Sequence, residues 1–247
     1  MREIQGIARV ARLSSMPESR PLQRFQGRYG GISLALAVTG VGKSNAEDSM
    51  ARLSHHIHPA AIVSLGFAGG LAEDLPSGDL AIASRIMATP KGKGYLEPDP
   101  MLLDLSLQVA HELGTDLHVC PFLTSPEPAL TPAVKEALGR QYGASVIDME
   151  SYWIGNAATS LGVPFMALRV ILDPLRQSLP KVVENLMTRS GGRLALTTFR
   201  RLLSRPQDGI ALLRLARESG LAERHMRQLV MPLVTRLGQE LHTPART

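Results

Sequence analysis

A three-layer α/β fold, with a central mixed β-sheet flanked by helices and an all-helical C-terminal extension, follows from three features of this 247-residue sequence. Short apolar runs bounded by turn residues alternate with amphipathic stretches of roughly a dozen residues, the pattern of strands alternating with helices. Apolar residues make up 44% of the chain, enough for a sizeable core. From about residue 178 the strand signals stop and the pattern turns wholly helical. The length suits one large domain with an appendage, so the expected division is an α/β domain over 1–177 and a basic helical extension over 178–247.

Each element has a local reason. GISLALAV (31–38) is an uninterrupted apolar run and reads as a buried strand. SNAEDSMARLSHHI (44–57) reads as a helix with Ser44 as its cap and acids in its first turns. PAAIVSLGF (59–67) and GDLAIASRI (78–86) read as strands. DPMLLDLSLQVAHEL (99–113) starts with Asp99 and Pro100, a cap followed by a residue preset for the first helical turn. LHVCPFLT (117–124) is a strand and TPAVKEALGRQY (131–142) a helix. ASVIDM (144–149), ESYWIGNAATSLG (150–162) and PFMALRVIL (164–172) read as strand, helix and strand, joined like a right-handed crossover. In the tail, Met226, Leu229, Val230, Leu233, Val234 and Leu237 recur at helical spacing and form one apolar face. Leu196, Phe199 and Leu203 make a shorter stripe beside Arg200 and Arg201, and Pro232 is expected to kink the last helix.

Charge is divided unevenly. Residues 1–188 hold 16 Lys and Arg against 18 acids, while 189–247 hold 11 Arg against 4 acids. A basic tail without clustered aromatics suits anionic lipid, an acidic partner or nucleic acid. Its apolar stripes either pack on the α/β body or a second subunit, or lie on an anionic membrane. No apolar run is long enough to span a bilayer, the N-terminus has no signal-peptide pattern, and Cys120 is the only cysteine, so a cytoplasmic setting is expected.

AVTGVGKSN (37–45) comes close to a phosphate-binding P-loop, but Ala37 stands where its first Gly should be. The neighbouring strand ends in Ser64, Leu65 and Gly66, without the acid that would hold Mg²⁺. Gly40 and Gly42 are therefore read as a tight strand-to-helix turn lining a nucleoside site. Gly66, Gly69 and Gly70 follow a strand and let backbone approach a ligand. Asp148, Met149 and Glu150 end one strand and Asp173 ends the next, which places three acids at the carboxyl ends of neighbouring strands, where open α/β sheets bind ligands. His55, His56 and His58 end a helix, where they favour the dipole rather than a metal. Hydrolase chemistry through Ser, His and Asp lacks its G-x-S-x-G elbow.

The ordered series TGVGKSNA, SLGFAGGL, GDLAIAS, IDMES and VPFMALRVILD resembles the nucleoside phosphorylase/nucleosidase superfamily, which includes purine nucleoside phosphorylases and methylthioadenosine/adenosylhomocysteine nucleosidases. The resemblance covers about 31–175. DMES, DPLRQSLP and the Arg-rich FRRLLSRPQDGIALLRLARES are further similar to the hopanoid-associated phosphorylase branch, linked to removal of adenine from adenosylhopane, and extend the likeness to about residue 230. The resemblance implies cleavage of an N-glycosidic bond through an oxocarbenium-like transition state. Asp173 matches the Asp that protonates purine N7, or supports its protonation. Met149 and Glu150 match the pair that packs on the sugar and binds ribose hydroxyls. Arg169 is placed to orient Asp173, and Gly66, Phe67 and Ala68 fall where the family's backbone passes base and nucleophile.

Two departures leave the nucleophile unassigned. Nucleosidases of this family carry a water-activating Glu after the first strand; Val10 or Ala11 stands there. Hexameric phosphorylases bind phosphate through an Arg and a Ser or Thr where this chain has Ser64 and Phe67. Arg9, Arg12 and Lys43 are alternative phosphate donors, against ordinary surface charge. The loop MATPKGKGYLEPDP (87–100) could lie over the pocket. The implied substrate is an adenine nucleoside with a bulky apolar 5′ group. The alternatives are a small substrate, such as methylthioadenosine or futalosine, and a non-catalytic nucleoside-binding paralogue. No cofactor is expected, with phosphate the one candidate co-substrate. A homo-oligomer is expected, a dimer favoured, with peripheral contact to the inner face of an anionic membrane through the tail and no nucleic-acid partner.

Overall fold

The computed structural model describes residues 7–16, 23–90, 94–179 and 224–240. Its strands are β1 (Ser14–Ser15), β2 (Gln23–Tyr29), β3 (Ile32–Val38), β4 (Ile62–Gly70), β5 (Leu80–Ala88), β6 (Leu117–Thr124), β7 (Val146–Asp148) and β8 (Phe165–Asp173). Its helices are α1 (Lys43–Ser54), α2 (Pro100–Glu112), α3 (Pro132–Tyr142), α4 (Ser151–Ser160) and α5 (224–240), with a single helical turn at 7–10. The mixed sheet flanked by helices is as the sequence predicts. It closes on itself in the order β4-β7-β6-β5-β8, and β1-β2-β3 form a separate antiparallel sheet.

Local signals explain most boundaries. The Asp99 carboxylate accepts from Leu102 N at 3.1 Å to cap α2, and Thr131 Oγ1 accepts from Val134 N at 3.4 Å to cap α3. Ser44 does not cap α1. That place belongs to Gly42, whose φ of 87° no L-residue adopts cheaply, and which has no side chain to supply a cap. The hairpin strand β2 carries Gln23, Arg24, Gln26 and Arg28 among its seven residues, so it lacks the apolar alternation that would have shown it in the sequence.

Two expectations change at the strand ends. The glycine stretch read as following the strand lies inside it: β4 runs on past Phe67 through Ala68, Gly69 and Gly70. And β7 and β8 are not neighbours: both pair with β4, which lies between them, β8 parallel and β7 antiparallel. Ile147 and Asp173 therefore both register with Gly69. A three-residue β7 running against β8 cannot be the first strand of a right-handed parallel crossover that ends in β8.

The apolar stripe of α5 is buried against the body. Met226, Leu229, Val230, Leu233, Val234 and Leu237 share one core cluster with Leu80, Ile82, Leu102, Val109, Met166 and Val170. Gly238 meets the hairpin turn so closely that an added Cβ would lie 2.8 Å from Gly30 O. The helix continues through Pro232, which faces solvent. α5, although part of the sequence-predicted extension, thus belongs to the core of the α/β body. The stripe of Leu196, Phe199 and Leu203 lies outside the described residues. Among the described residues no helix is long and apolar enough to cross a membrane.

Candidate active site

A cavity of about 990 Å³ opens between β3, β4, the end of β7, the end of β8 and α5. Gly40, Gly66, Phe67, Ala68, Asp148, Met149, Glu150, Arg169 and Asp173 all line it. Nine of the ten residues singled out in the sequence therefore converge on one space. The tenth, Gly42, is tied to it by a hydrogen bond: its N–H donates to Glu150 Oε1 at 2.7 Å.

Helix starts account for both partners in that bond. Gly42 is the N-cap of α1, where backbone N–H groups point outward without helical partners. Glu150 is the N-cap of α4, but its side chain does not cap that helix; it reaches across to the glycine turn. Burial, with Asp148 nearby, pushes the Glu150 carboxyl up to about 7, against the opposing pull of the Gly42 N–H and Arg169. A half-buried carboxyl titrating near neutrality, beside a cavity, is a group suited to binding hydroxyls or moving a proton.

Arg169 and Asp148 have a different role from the one expected. Arg169 is 1% exposed and donates through Nε to Asp148 at 2.9 Å. Its Nη1 donates to the carbonyls of Ser64 and Leu168, both at 3.0 Å. Its Nη2 donates to Ser64 Oγ at 3.0 Å and Ser151 Oγ at 2.7 Å. A guanidinium has five N–H donors, and these partners engage them all. The Asp148 carboxylate also accepts from Thr124 Oγ1 at 2.7 Å and from Ser151 N and Oγ. The pair is a buried crosslink joining β4, β6, β8 and the start of α4. It therefore positions Met149 and Glu150, the next residues along, rather than orienting Asp173. Ser64 Oγ, in β4, is held by the same Arg169.

Asp173 is instead held by a residue the sequence did not single out. Lys135, on α3, is fully buried and its Nζ lies 2.7 Å from Asp173 Oδ2. The register of β8 against β4 shifts between Ala68 and Gly69, so that Ala68 faces Ile171 and Gly69 faces Asp173. This bulge re-aims the carboxylate. Gly69 packs tightly there: a Cβ would sit 3.1 Å from both Asp173 Oδ2 and Ile147 Cγ2, so either side chain would have to give by a few tenths of an ångström. A periodic reading of α3 could have flagged Lys135 only as a cation on a helix, because its partners come from 38 or more residues later.

Other expectations are not met by the geometry. Arg9, Arg12 and Lys43 do not line the cavity; Lys43 lies over the Trp153 ring, 4.5 Å from its centroid. The loop after β5 folds back through the Ile86–Leu96 bridge, and none of its described residues 94–100 lines the cavity. Ala11 is buried and Val10 exposed, and neither lines it. Glu127, after β6, does line it and was not foreseen. Burial, with Asp74 nearby, pushes the Cys120 thiol up to about 12, which disfavours its thiolate form.

Residues 3–204 match the family model of the phosphorylase superfamily. The 5′-methylthioadenosine/S-adenosylhomocysteine nucleosidase of Halalkalibacterium halodurans is 27% identical over 164 residues, 60% of this chain and 71% of that protein. That of Chromohalobacter salexigens is 26% identical over 187 residues, 66% of this chain and 79% of that protein. The same kind of nucleosidase from Neisseria meningitidis, solved with methylthio-immucillin-A, superposes with a TM-score of 0.74 at 15% identity, covering 96% of each chain. The futalosine hydrolase of Helicobacter pylori does so with a TM-score of 0.71 at 19% identity, covering 93% of this chain and 94% of that one.

Proposed function

The chain belongs to the phosphorylase superfamily and is an enzyme of the nucleoside phosphorylase or nucleosidase kind; on that premise we propose that it releases adenine from an adenine nucleoside bearing a bulky apolar 5′ group. The observation that carries the reaction is the pair of carboxyl groups, Asp173 and Glu150, lining one cavity. Asp173 donates to the leaving purine or holds its added proton. Glu150, anchored on the Gly42 N–H, accepts from the ribose hydroxyls and stabilises positive charge on the sugar as the C–N bond breaks. Met149 packs on the sugar. The crosslink between Arg169 and Asp148 keeps β7 and α4 in place while this happens.

The apolar 5′ group rests on the rest of the lining. Leu34, Leu36, Leu53, Val63, Leu233 and Leu237 add apolar surface to the cavity beyond the carboxyl groups. Its volume of about 990 Å³ lies at the top of the range of roughly 300–1,000 Å³ usual for small-molecule sites. An adenosylhopane-like nucleoside, an adenine nucleoside carrying a polycyclic lipid, fits that chemistry and would place the enzyme in hopanoid formation. The second reading, a nucleosidase for methylthioadenosine or futalosine, is favoured by the names of the relatives. A third, a non-catalytic paralogue, is favoured by the absence of an acid at Val10 and Ala11. A homodimer is part of the first reading, as is peripheral contact with anionic membrane. Because the α5 stripe is buried, such contact falls to basic residues elsewhere in the tail.

Adenine release from adenosine, methylthioadenosine, futalosine and a 5′-alkyl adenosine, each with and without phosphate, tests all three. Turnover that rises with the length of the apolar group supports the first. Turnover confined to the small substrates supports the second, and none at all supports the third. Dependence on phosphate separates phosphorolysis from hydrolysis.

A further inference from the structure

Lys135 contributes the most deeply buried charge among the described residues outside the Arg169–Asp148 crosslink. It is the fourth residue of α3, and its side chain is 0% exposed. Four acceptors surround its three N–H donors: Asp173 Oδ2 at 2.7 Å, and the carbonyl oxygens of Asp173, Pro174 and Gln177, each at 2.9 Å. The chain leaving β8 is thus gathered on one ammonium. A charge buried this completely is tolerated only when it is paired and fully hydrogen-bonded. Its carboxylate partner is the residue that lines the cavity.

The surroundings leave Asp173 little other freedom. On one side Gly69 and Ile147 lie against it, so closely that a Cβ at 69 would touch both. On the other, Gly70 packs against Pro174 and Leu175, and a Cβ at 70 would lie 3.3 Å from Pro174 Cα. The Lys135 ammonium supplies the polar half of this clamp. It lines no part of the cavity, so it does not reach a ligand there.

We propose that Lys135 is the positioning residue for Asp173: it fixes the direction of the carboxylate and the turn that carries it, so that the carboxyl group presented to the leaving base is preset before substrate arrives. This rests on the function proposed above and deepens it. Arg169, the residue expected to orient Asp173 from the sequence, is engaged instead with Asp148.

The test is a cycle of Lys135→Met, Asp173→Asn and the double variant in the full-length chain. The readouts are kcat and KM for adenine release, adenine affinity by calorimetry, and the thermal midpoint. If Lys135 acts through Asp173, Lys135→Met lowers kcat by about 10²-fold, comparable with Asp173→Asn, while KM moves only a few-fold. In the Asp173→Asn background the same change then alters kcat and adenine affinity less than about 2-fold, because residues acting as a unit are not additive. An equal loss in both backgrounds means that Lys135 merely holds the fold, and overturns the proposal. So does full kcat in Lys135→Met. Should Lys135→Met not fold, Lys135→Gln retains donors for the carbonyls and removes the charge; a kcat equal to wild type in that variant overturns the proposal as well. A wild-type protein that neither binds nor releases adenine overturns the proposed function itself. An active wild type with indifferent Lys135 variants overturns only the positioning role.

Discussion

Replacing Glu150 with Gln should make the protein more stable at pH 8 and leave it unchanged at pH 4. The carboxyl titrates near 4.5 when unfolded and is pushed up to about 7 in the folded chain, first by burial and then by Asp148. Between those values the folded protein holds a proton that the unfolded chain has released. Stability from this group is therefore full below pH 4.5, falls as the pH rises through 7, and is lost above it. At 1.36 kcal/mol per pKa unit, the loss is on the order of 3 kcal/mol. Gln cannot ionise, yet its carbonyl oxygen can still accept from the Gly42 N–H, so the turn should keep its geometry. The assay is urea denaturation of wild type and Glu150→Gln at steps from about pH 4 to 8.5, spanning both ends of the titration. The difference between the two curves isolates this group from the other carboxylates. Activity should show the same group: kcat/KM rises with pH to a plateau above about 7 in the wild type, because the ionised form accepts from hydroxyls, and the Gln variant lacks that limb. Parallel stability curves across the whole range, or a Gln variant less stable than wild type at pH 8, would refute the reasoning.

Asp173→Asn should bind adenosine nearly as well as wild type and turn over about 10²-fold or more slowly; stopped-flow adenine release at saturating substrate decides it. Arg169→Met leaves the buried Asp148 carboxylate without its cation and should destabilise by about 3–5 kcal/mol, measured by urea unfolding. Affinity for 2′-deoxyadenosine should fall below that for adenosine by about 1–3 kcal/mol if Glu150 accepts from that hydroxyl, and calorimetry showing equal affinity removes it from ribose binding. Leu229→Ala, at a fully buried position of α5, should cost about 2–5 kcal/mol of unfolding free energy in the same urea measurement. A neutral result would mean that α5 does not belong to the core.

Much of the fold could be read from periodicity and caps, because those are written within a few residues. The apolar runs of β3, β6 and β8, the Asp99–Pro100 start of α2 and the Thr131–Pro132 start of α3 stand in the structure as the sequence predicts them. The apolar face of α5 was legible too, since six residues at helical spacing leave one direction to bury. Strand β2 was not legible, because its polar residues break the alternation that marks a strand. Of the site, the residue types were legible: glycines in a strand-to-helix turn, and acids at strand ends.

What each residue does there depends on neighbours distant in sequence. Asp148 looks from the sequence like a ligand-binding group and Arg169 like the group that orients Asp173, and the two prove to be partners to each other. Glu150 looks like an acid at a strand end facing a ligand, and its carboxylate accepts from a backbone N–H 108 residues away. Lys135 looks like any cation on a helix and is the group that holds Asp173. The sequence by itself determined most of the strands and helices, the hairpin strand β2 excepted, and which chemistry-bearing side chains stand at their ends, because propensity, capping and hydrophobic period act over one or two turns. Only the tertiary structure decided which of those side chains pair with each other and which are left facing the cavity. A buried charge takes its partner from whatever the closed sheet brings within hydrogen-bonding distance, and strand order, not sequence distance, sets that.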